Sequence, residues 1–332
     1  MAEASTASRK RPAPDGTGPS AAAAAAAPAA KKRARYQFAS IDDYEKLEEI
    51  GEGAYGVVFK ARHRRTGEEF AVKLIRGSGG GGPDRAAALR EAGCLAACRG
   101  HPSIVQIKDV ATSEATGDLF IVMELAGSSL RDWLITRRFP EDQARAFMRQ
   151  LLDAAKKLHG TRTLHRDIKP ENILLVPGAG GGALKLCDFG CATPMREPYP
   201  EGRVGTMQYC SPEQLMGSRS YGAAVDMWAL GCVMAELLSG QPLFEASTEE
   251  EVLEQIEDLR DEFDAIGLHV FDVLPELSQA GREVLAGLLR FDPEERLTAA
   301  DALEHRWFTE DAKPAAVAKA EHPGFVPLLS AA

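Results

Sequence analysis

The chain has 332 residues, 45% of them hydrophobic, and a formal net charge of −10. That apolar content suffices for one large domain or two lobes, while the acidic balance argues against direct nucleic-acid binding. No apolar run of about 18 residues occurs, so no membrane span is expected, and 6 cysteines without a dense framework read as reduced thiols.

Residues 1–40 are rich in Ala, Pro and basic side chains and are read as a disordered tail, because they carry too little apolar surface to offset ordering entropy. Their basic clusters, 9–11 and 31–35, read as a nuclear import signal, which places the protein in the nucleus, the cytoplasm or both. The plainer alternative is a solvated basic tail. From Tyr44 onward, β-prone segments at 44–50, 57–62 and 69–75 predict an antiparallel sheet. A glycine-rich loop at 77–82 leads to a helix over 85–98, then strands over 104–110 and 119–124. After Gly127 the apolar spacing turns to three and four, predicting helices over 144–158, 225–238 and 281–290. Two short strands flank a glycine turn within 176–184. The expected architecture is α+β: a sheet-rich lobe at 41–126, a larger helical lobe at 127–308 and a tail at 309–332.

Gly51, Glu52, Gly53, Ala54, Tyr55 and Gly56 form a glycine-rich stretch between strands. Such glycines let the backbone approach a polyphosphate and offer N–H donors. Alone the pattern also fits an ordinary hairpin, and the strand that follows it disfavours a dinucleotide fold. Lys73 lies on a strand; facing inward it needs an anionic partner, for which Glu91 on the next helix is the candidate. Two solvated charges are the alternative. Then come His165-Arg166-Asp167-Ile168-Lys169-Pro170-Glu171-Asn172 and Asp188-Phe189-Gly190.

In this order, over about residues 44–308, the motifs resemble the protein kinase superfamily. The resemblance implies a bilobal fold and transfer of the γ-phosphoryl group of ATP, with Mg²⁺, to protein hydroxyls. Lys73, paired with Glu91, would hold the α- and β-phosphates. Asp167 would orient the acceptor hydroxyl and take its proton. Lys169 would reach the γ-phosphate, its place resembling serine/threonine kinases, and Asn172 and Asp188 would hold the metal. Ile50, Val58, Ala71 and Leu174 would enclose adenine together with the glycine stretch. Met123 would stand at the back, with the backbone of Glu124 and Ala126 as hinge. Thr206 would shape the substrate floor beside Asp167. Glu213 would pair with Arg296, and Asp226 would tie to the 165–167 backbone. A pseudokinase scaffold is the rival reading, and the intact catalytic set argues against it. A small-molecule kinase is disfavoured by the Ser211-Pro212-Glu213 segment.

Several stretches, Arg90-Glu91 and Phe291-Asp292-Pro293 among them, resemble the cyclin-dependent-kinase-like branch, its plant F-class included. That resemblance implies a cyclin partner, yet the helix keeps only Arg90-Glu91 of the branch's cyclin-contact motif. Between Thr193 and Thr206 no Ser or Thr occurs. Glu201, or Glu197, is therefore expected to meet Arg90 and Arg166 in place of a phosphate, with less charge than phosphate would bring. Cys210 stands where the branch has an arginine that favours proline after the acceptor, so weak proline direction is expected. Ala54 replaces a phosphorylatable threonine, leaving Tyr55 to carry any inhibitory phosphate.

Overall fold

A computed structural model of the chain describes residues 38–53, 56–75, 84–178, 182–274 and 276–309. The basic clusters, Ala54, Tyr55, the 77–82 loop and the C-terminal residues from 310 lie outside the described residues.

Strands β1 (Ala39–Ser40), β2 (Tyr44–Gly53), β3 (Gly56–His63), β4 (Glu69–Ile75), β5 (Ile107–Thr112) and β6 (Leu119–Glu124) form one sheet in the order β1-β5-β6-β4-β3-β2. β1 runs parallel to β5, which corrects the purely antiparallel expectation. It also brings Ala39 and Ser40, assigned to the tail, into regular structure. The cause is apolar: Ala39 and Ile41 pack on the cluster of Phe59, Ala61, Val72, Ala111, Phe120 and Val122. Val72 is buried in that cluster, so Lys73, one residue on, faces the opposite side of the sheet.

That opposite side meets helix α1 (Arg85–Ala97), whose start is capped by Asp84 accepting from Ala87 N at 2.9 Å. Ala88, Glu91, Ala92 and Leu95 are buried, the three-and-four spacing of a single helix face. The strand expected over 104–110 begins at Ile107 instead. Residues 103–105 are drawn elsewhere: Val105 N donates to Leu186 O at 3.0 Å, and Leu186 N to Ser103 O at 2.9 Å.

The rest of the described residues are mainly helical, with short strands β7 (Ser128–Ser129), β8 (Thr163–Leu164), β9 (Ile173–Val176), β10 (Ala183–Leu186) and β11 (Thr193–Pro194). Its helices are α2 (Leu130–Leu134), α3 (Glu141–Gly160), α4 (Pro212–Leu215), α5 (Ala224–Ser239), α6 (Glu249–Ile266), α7 (Gln279–Leu288), α8 (Ala299–Glu304) and α9 (Arg306–Thr309). Every residue of α5 from Val225 to Leu238 is buried, as its nearly unbroken apolar sequence requires. Helix α6 escaped the apolar-spacing criterion because only Val252, Ile256 and Leu259 of its 18 residues are buried. Its capping box was readable: Thr248 and Glu251 exchange side-chain and backbone hydrogen bonds.

Candidate active site

The strand register brings the nucleotide-side residues together. Val58 stands opposite both Gly51 and Lys73, and Ala71 stands opposite Met123. Met123 is buried; Val58, Ala71, Glu124, Ala126 and Leu174 are half-buried; Ile50 and Glu52 are exposed. A Cβ on Gly51 or Gly53 would meet nothing within 4 Å, so packing within the chain does not demand glycine there. At Gly56 it does: φ is +148° and a Cβ would lie 2.0 Å from Leu74 O. The Glu124 carboxylate is turned aside, accepting from Gln106 N and Lys185 Nζ, each at 2.9 Å.

Lys73 Nζ reaches Glu91 Oε1 at 2.8 Å and Asp188 Oδ1 at 2.6 Å. Burial favours the neutral amine, but the two carboxylates outweigh it and hold the Lys73 pKa at about 12. Burial likewise pushes Asp188 upward, and the same ammonium more than reverses this, leaving it below the usual carboxylate range. Glu91 alone is raised by its burial. With Lys73 bonded to both acids, the charged pair is the state the geometry supports.

Asp167 lies in a second cluster. Its Oδ1 accepts from Thr206 N at 2.9 Å and Thr206 Oγ1 at 2.8 Å; its Oδ2 accepts from Asn172 Nδ2 at 3.0 Å. Lys169 Nζ stands 3.2 Å from Oδ2 and donates to Thr206 Oγ1 at 2.6 Å. The backbone that holds this cluster is unusual, with φ of 68° at Arg166 and 55° at Asp188. Such angles are costly for side-chain-bearing residues and need external support. Asp226, at the start of α5, supplies it by accepting from His165 N at 3.0 Å and Arg166 N at 2.8 Å. Burial raises the Asp226 pKa, yet the His159 hydrogen bond at 2.9 Å and the backbone donors bring it below the usual value. The Phe189 ring packs edge-on to His165 with centroids 4.9 Å apart.

Arg166 donates to Cys191 O at 2.8 Å and approaches Glu201 Oε2 at 3.7 Å. The expected meeting of Arg90 with Glu201 or Glu197 does not occur. Glu91 takes the buried face of α1, and Arg90, about 100° round the helix, is exposed. Arg296 grips Glu213 with two bonds, at 2.8 and 3.1 Å. Burial pushes the Cys210 thiol up to about 12, so it is a neutral packing group. Arg203 Nη1 donates to Gly205 O at 3.0 Å, while Nη2 pairs with Glu249 at 2.6 Å.

Gly205 has φ +94°, and a Cβ there would lie 2.3 Å from Arg166 O. Gly205→Ala is expected to push Thr206 off Asp167 and to lower kcat by about 10²-fold, the scale for a misplacement of about 1 Å. Steady-state assays check this, with a melting curve to confirm folding.

Sequence reasoning missed one network, which is anchored on the buried Glu236. Arg131 Nε donates to Glu171 at 2.7 Å, its Nη1 pairs with Glu236, and its Nη2 donates to Tyr209 Oη at 2.8 Å. Tyr209 Oη donates to Glu236 Oε2 at 2.6 Å. The one available signal was an acid, Glu236, near the end of the apolar run that follows Asp226 in α5.

Asp188 and Asn172 offer hard oxygens of the kind Mg²⁺ prefers. Among the described residues no group of three or more His, Cys, Asp or Glu side chains could hold a metal.

The protein kinase domain family matches residues 44–308. A putative cyclin-dependent kinase F-2 of Oryza sativa subsp. japonica is 40% identical over 312 residues, covering 82% of this chain and 92% of that protein. Cyclin-dependent kinase G-1 of Oryza sativa subsp. indica is 38% identical over 307 residues, covering 82% of this chain but 43% of the longer relative. Serine/threonine-protein kinase ppk23 of Schizosaccharomyces pombe is 34% identical over 300 residues, covering 83% of this chain and 74% of the yeast protein.

Proposed function

Since the chain belongs to the protein kinase family and is a serine/threonine protein kinase similar to cyclin-dependent kinases F and G, we propose that Asp167 takes the proton of the acceptor hydroxyl. Kinases of this family generally use ATP and Mg²⁺; when bound, they supply the phosphoryl group and neutralise the charge that develops on it. Lys73 is the phosphate anchor, held in place by Glu91. Asn172 and Asp188 are the metal-holding pair, and Lys169 steadies the transferring group. The observation that carries this reading is the pair of adjacent clusters, Lys73–Glu91–Asp188 and Asp167–Asn172–Lys169–Thr206. Transfer of label from ATP to protein tests it, and a folded chain that transfers none is the scaffold of the rival reading.

Regulation follows from the same contacts. Lys73 meets Glu91 within a single chain, which supports a centre that assembles without an added cyclin. Glu201 takes a fraction of a phosphate's role through Arg166 alone. Its carboxylate is 41% exposed at 3.7 Å, so the pair is worth at most about 1 kcal/mol. Glu201→Ala is accordingly expected to lower the activity of protein made without an upstream kinase by no more than about fivefold. A dead variant, or a wild type that needs phosphorylation first, overturns this.

Arg203 favours proline after the acceptor, the reverse of the expectation from Cys210. Its bond takes one of the two lone pairs of the Gly205 carbonyl, so a peptide N–H arriving beside it meets a weakened acceptor, a cost that proline escapes. Peptides with proline at that position should be used about tenfold better than those with alanine. Equal use on an array overturns the idea. The basic clusters at 9–11 and 31–35 direct nuclear import; a fluorescent fusion that stays nuclear without residues 1–37 would contradict this.

A further inference from the structure

A cavity of about 240 Å³ opens among α5, α6 and α7, and none of its lining residues belongs to the catalytic clusters. Phe263, Phe271 and Phe291 stand in its wall. Along α6 an apolar stripe runs through Ile256, Leu259, Phe263 and Ile266, at helical three-and-four spacing. Its cover fails step by step: Ile256 is 1% exposed, Leu259 6%, Phe263 is half-buried and Ile266 is 51% exposed. The stripe therefore outruns the core on the side of the cavity. Arg260 lies over the Phe291 ring at 4.9 Å and Arg290 over the Phe263 ring at 4.8 Å, so guanidinium groups on flexible stems cover ring faces there.

The chain carries a segment that suits this face. Outside the described residues, large apolar side chains cluster in one place, Phe325-Val326-Pro327-Leu328-Leu329. Residues 324–332 hold no charged side chain. That matters because Arg260, Arg290, Asp264, Asp292 and Glu295 put both signs of charge around the cavity, and a charged guest would meet an unfavourable partner. The connection is long enough. Thr309, the last described residue, ends α9, which packs on α7 and is tied to it by Arg306 and Glu283 at 2.7 Å. Ala286, less than one turn further along α7, lines the cavity. The 15 residues from 310 to 324 can span about 50 Å when extended. A linker longer than its span still holds its end at high local concentration.

We propose that residues 325–329 dock within the same chain on this face, with the Phe325 ring in the cavity and Leu328 and Leu329 over the uncovered end of the α6 stripe at Ile266. The size agrees: an apolar cavity of about 150 Å³ holds benzene, and this one is larger. A single aromatic ring set in a pocket is the usual anchor of such a contact, with the neighbouring apolar side chains excluding water around it. Pro327 fixes one backbone angle in advance, which cuts the ordering entropy lost on docking.

The test uses the full chain in two ways. A diazirine-bearing amino acid in place of Leu328 is expected, on illumination, to cross-link to α6 or to residues 286–295 of its own chain. Hydrogen exchange supplies the second readout. Phe325→Ser should speed exchange of the amides of residues 260–266 by about five- to thirtyfold, the worth of one lost aromatic anchor, and leave those of α3 unchanged. Ala286→Leu, which narrows the cavity, should do the same with Phe325 in place. Cross-links confined to other surfaces, or exchange over 260–266 that Phe325→Ser does not move, would each overturn the proposal. So would cross-links that join light to heavy chains in an isotopically mixed sample, which would put the segment on a second copy. The cross-link is read with the cavity unaltered, so a misfolded Ala286→Leu does not blunt it.

Discussion

Replacing Asp167 by Asn is expected to slow phosphoryl transfer by about 10²- to 10⁴-fold, the usual contribution of a positioned proton acceptor. The new amide keeps the shape of the carboxylate, and its oxygen can still accept from Thr206. It cannot take a proton from a hydroxyl. Its nitrogen would face Asn172 Nδ2 and Lys169 Nζ, both now directed at Oδ2. One hydrogen bond is lost and two donors confront each other, a cost of about 1–2 kcal/mol that leaves the chain folded. Label transfer from ATP measures the rate, and a melting curve verifies folding. A folded variant with the wild-type rate would remove Asp167 from the path of the proton.

Arg131→Ala is expected to destabilise the fold by about 3–5 kcal/mol, because it strips a buried carboxylate of its counter-charge. Glu236 is fully buried, and Arg131 is the cation that pairs with it. The Tyr209 hydroxyl would still donate to Oε2, which places the loss near the lower figure. At about 2–4 °C per kcal/mol for a domain of this size, the melting temperature should fall by roughly 10 °C. The effect should depend on pH. Burial already raises the Glu236 pKa, and without Arg131 it rises further. A folded-state pKa above the unfolded value means that the native state holds its proton better, so the deficit shrinks as pH falls through that folded pKa. Urea midpoints at two pH values decide the matter: a deficit unchanged or larger on the acid side would show that Glu236 is not the group responsible.

The part of the site that local sequence alone makes readable is the part that lies close together in the chain. Asp167, Lys169 and Asn172 sit in one short loop, and chain continuity nearly forces them to meet. Lys73 was legible from strand alternation, since Val72 must face the apolar cluster. Local patterns alone did not reveal long-range contacts: Glu213 with Arg296, and Asp226 with the 165–167 backbone, were expected only from the family resemblance, and both form. Arg131 and Glu236 are 105 residues apart, and no local pattern couples α2 to α5. The start of β5 was misread because Ile104 and Val105 look strand-like, yet their pairing goes to Leu186. Arg90 was expected from the family resemblance to meet the activation segment, but Glu91 takes the buried face of α1 and the adjacent position points about 100° away. The arginine bonded to the Gly205 carbonyl comes from position 203, which nothing at Cys210 announces.

The backbone ladder between residues 103–105 and Leu186 also has a mechanical meaning. It stitches the sheet-rich region to the helical one two residues before Asp188. If the cleft rocks open to admit nucleotide, this stitch is the natural axle. Groups near an axle travel little, and groups at the end of a long lever travel far. Asp188 would therefore keep its station through each stroke, while the strand carrying Gly51 and Gly53 sweeps the widest arc. Motion that releases spent nucleotide need not displace the acid proposed to hold the metal.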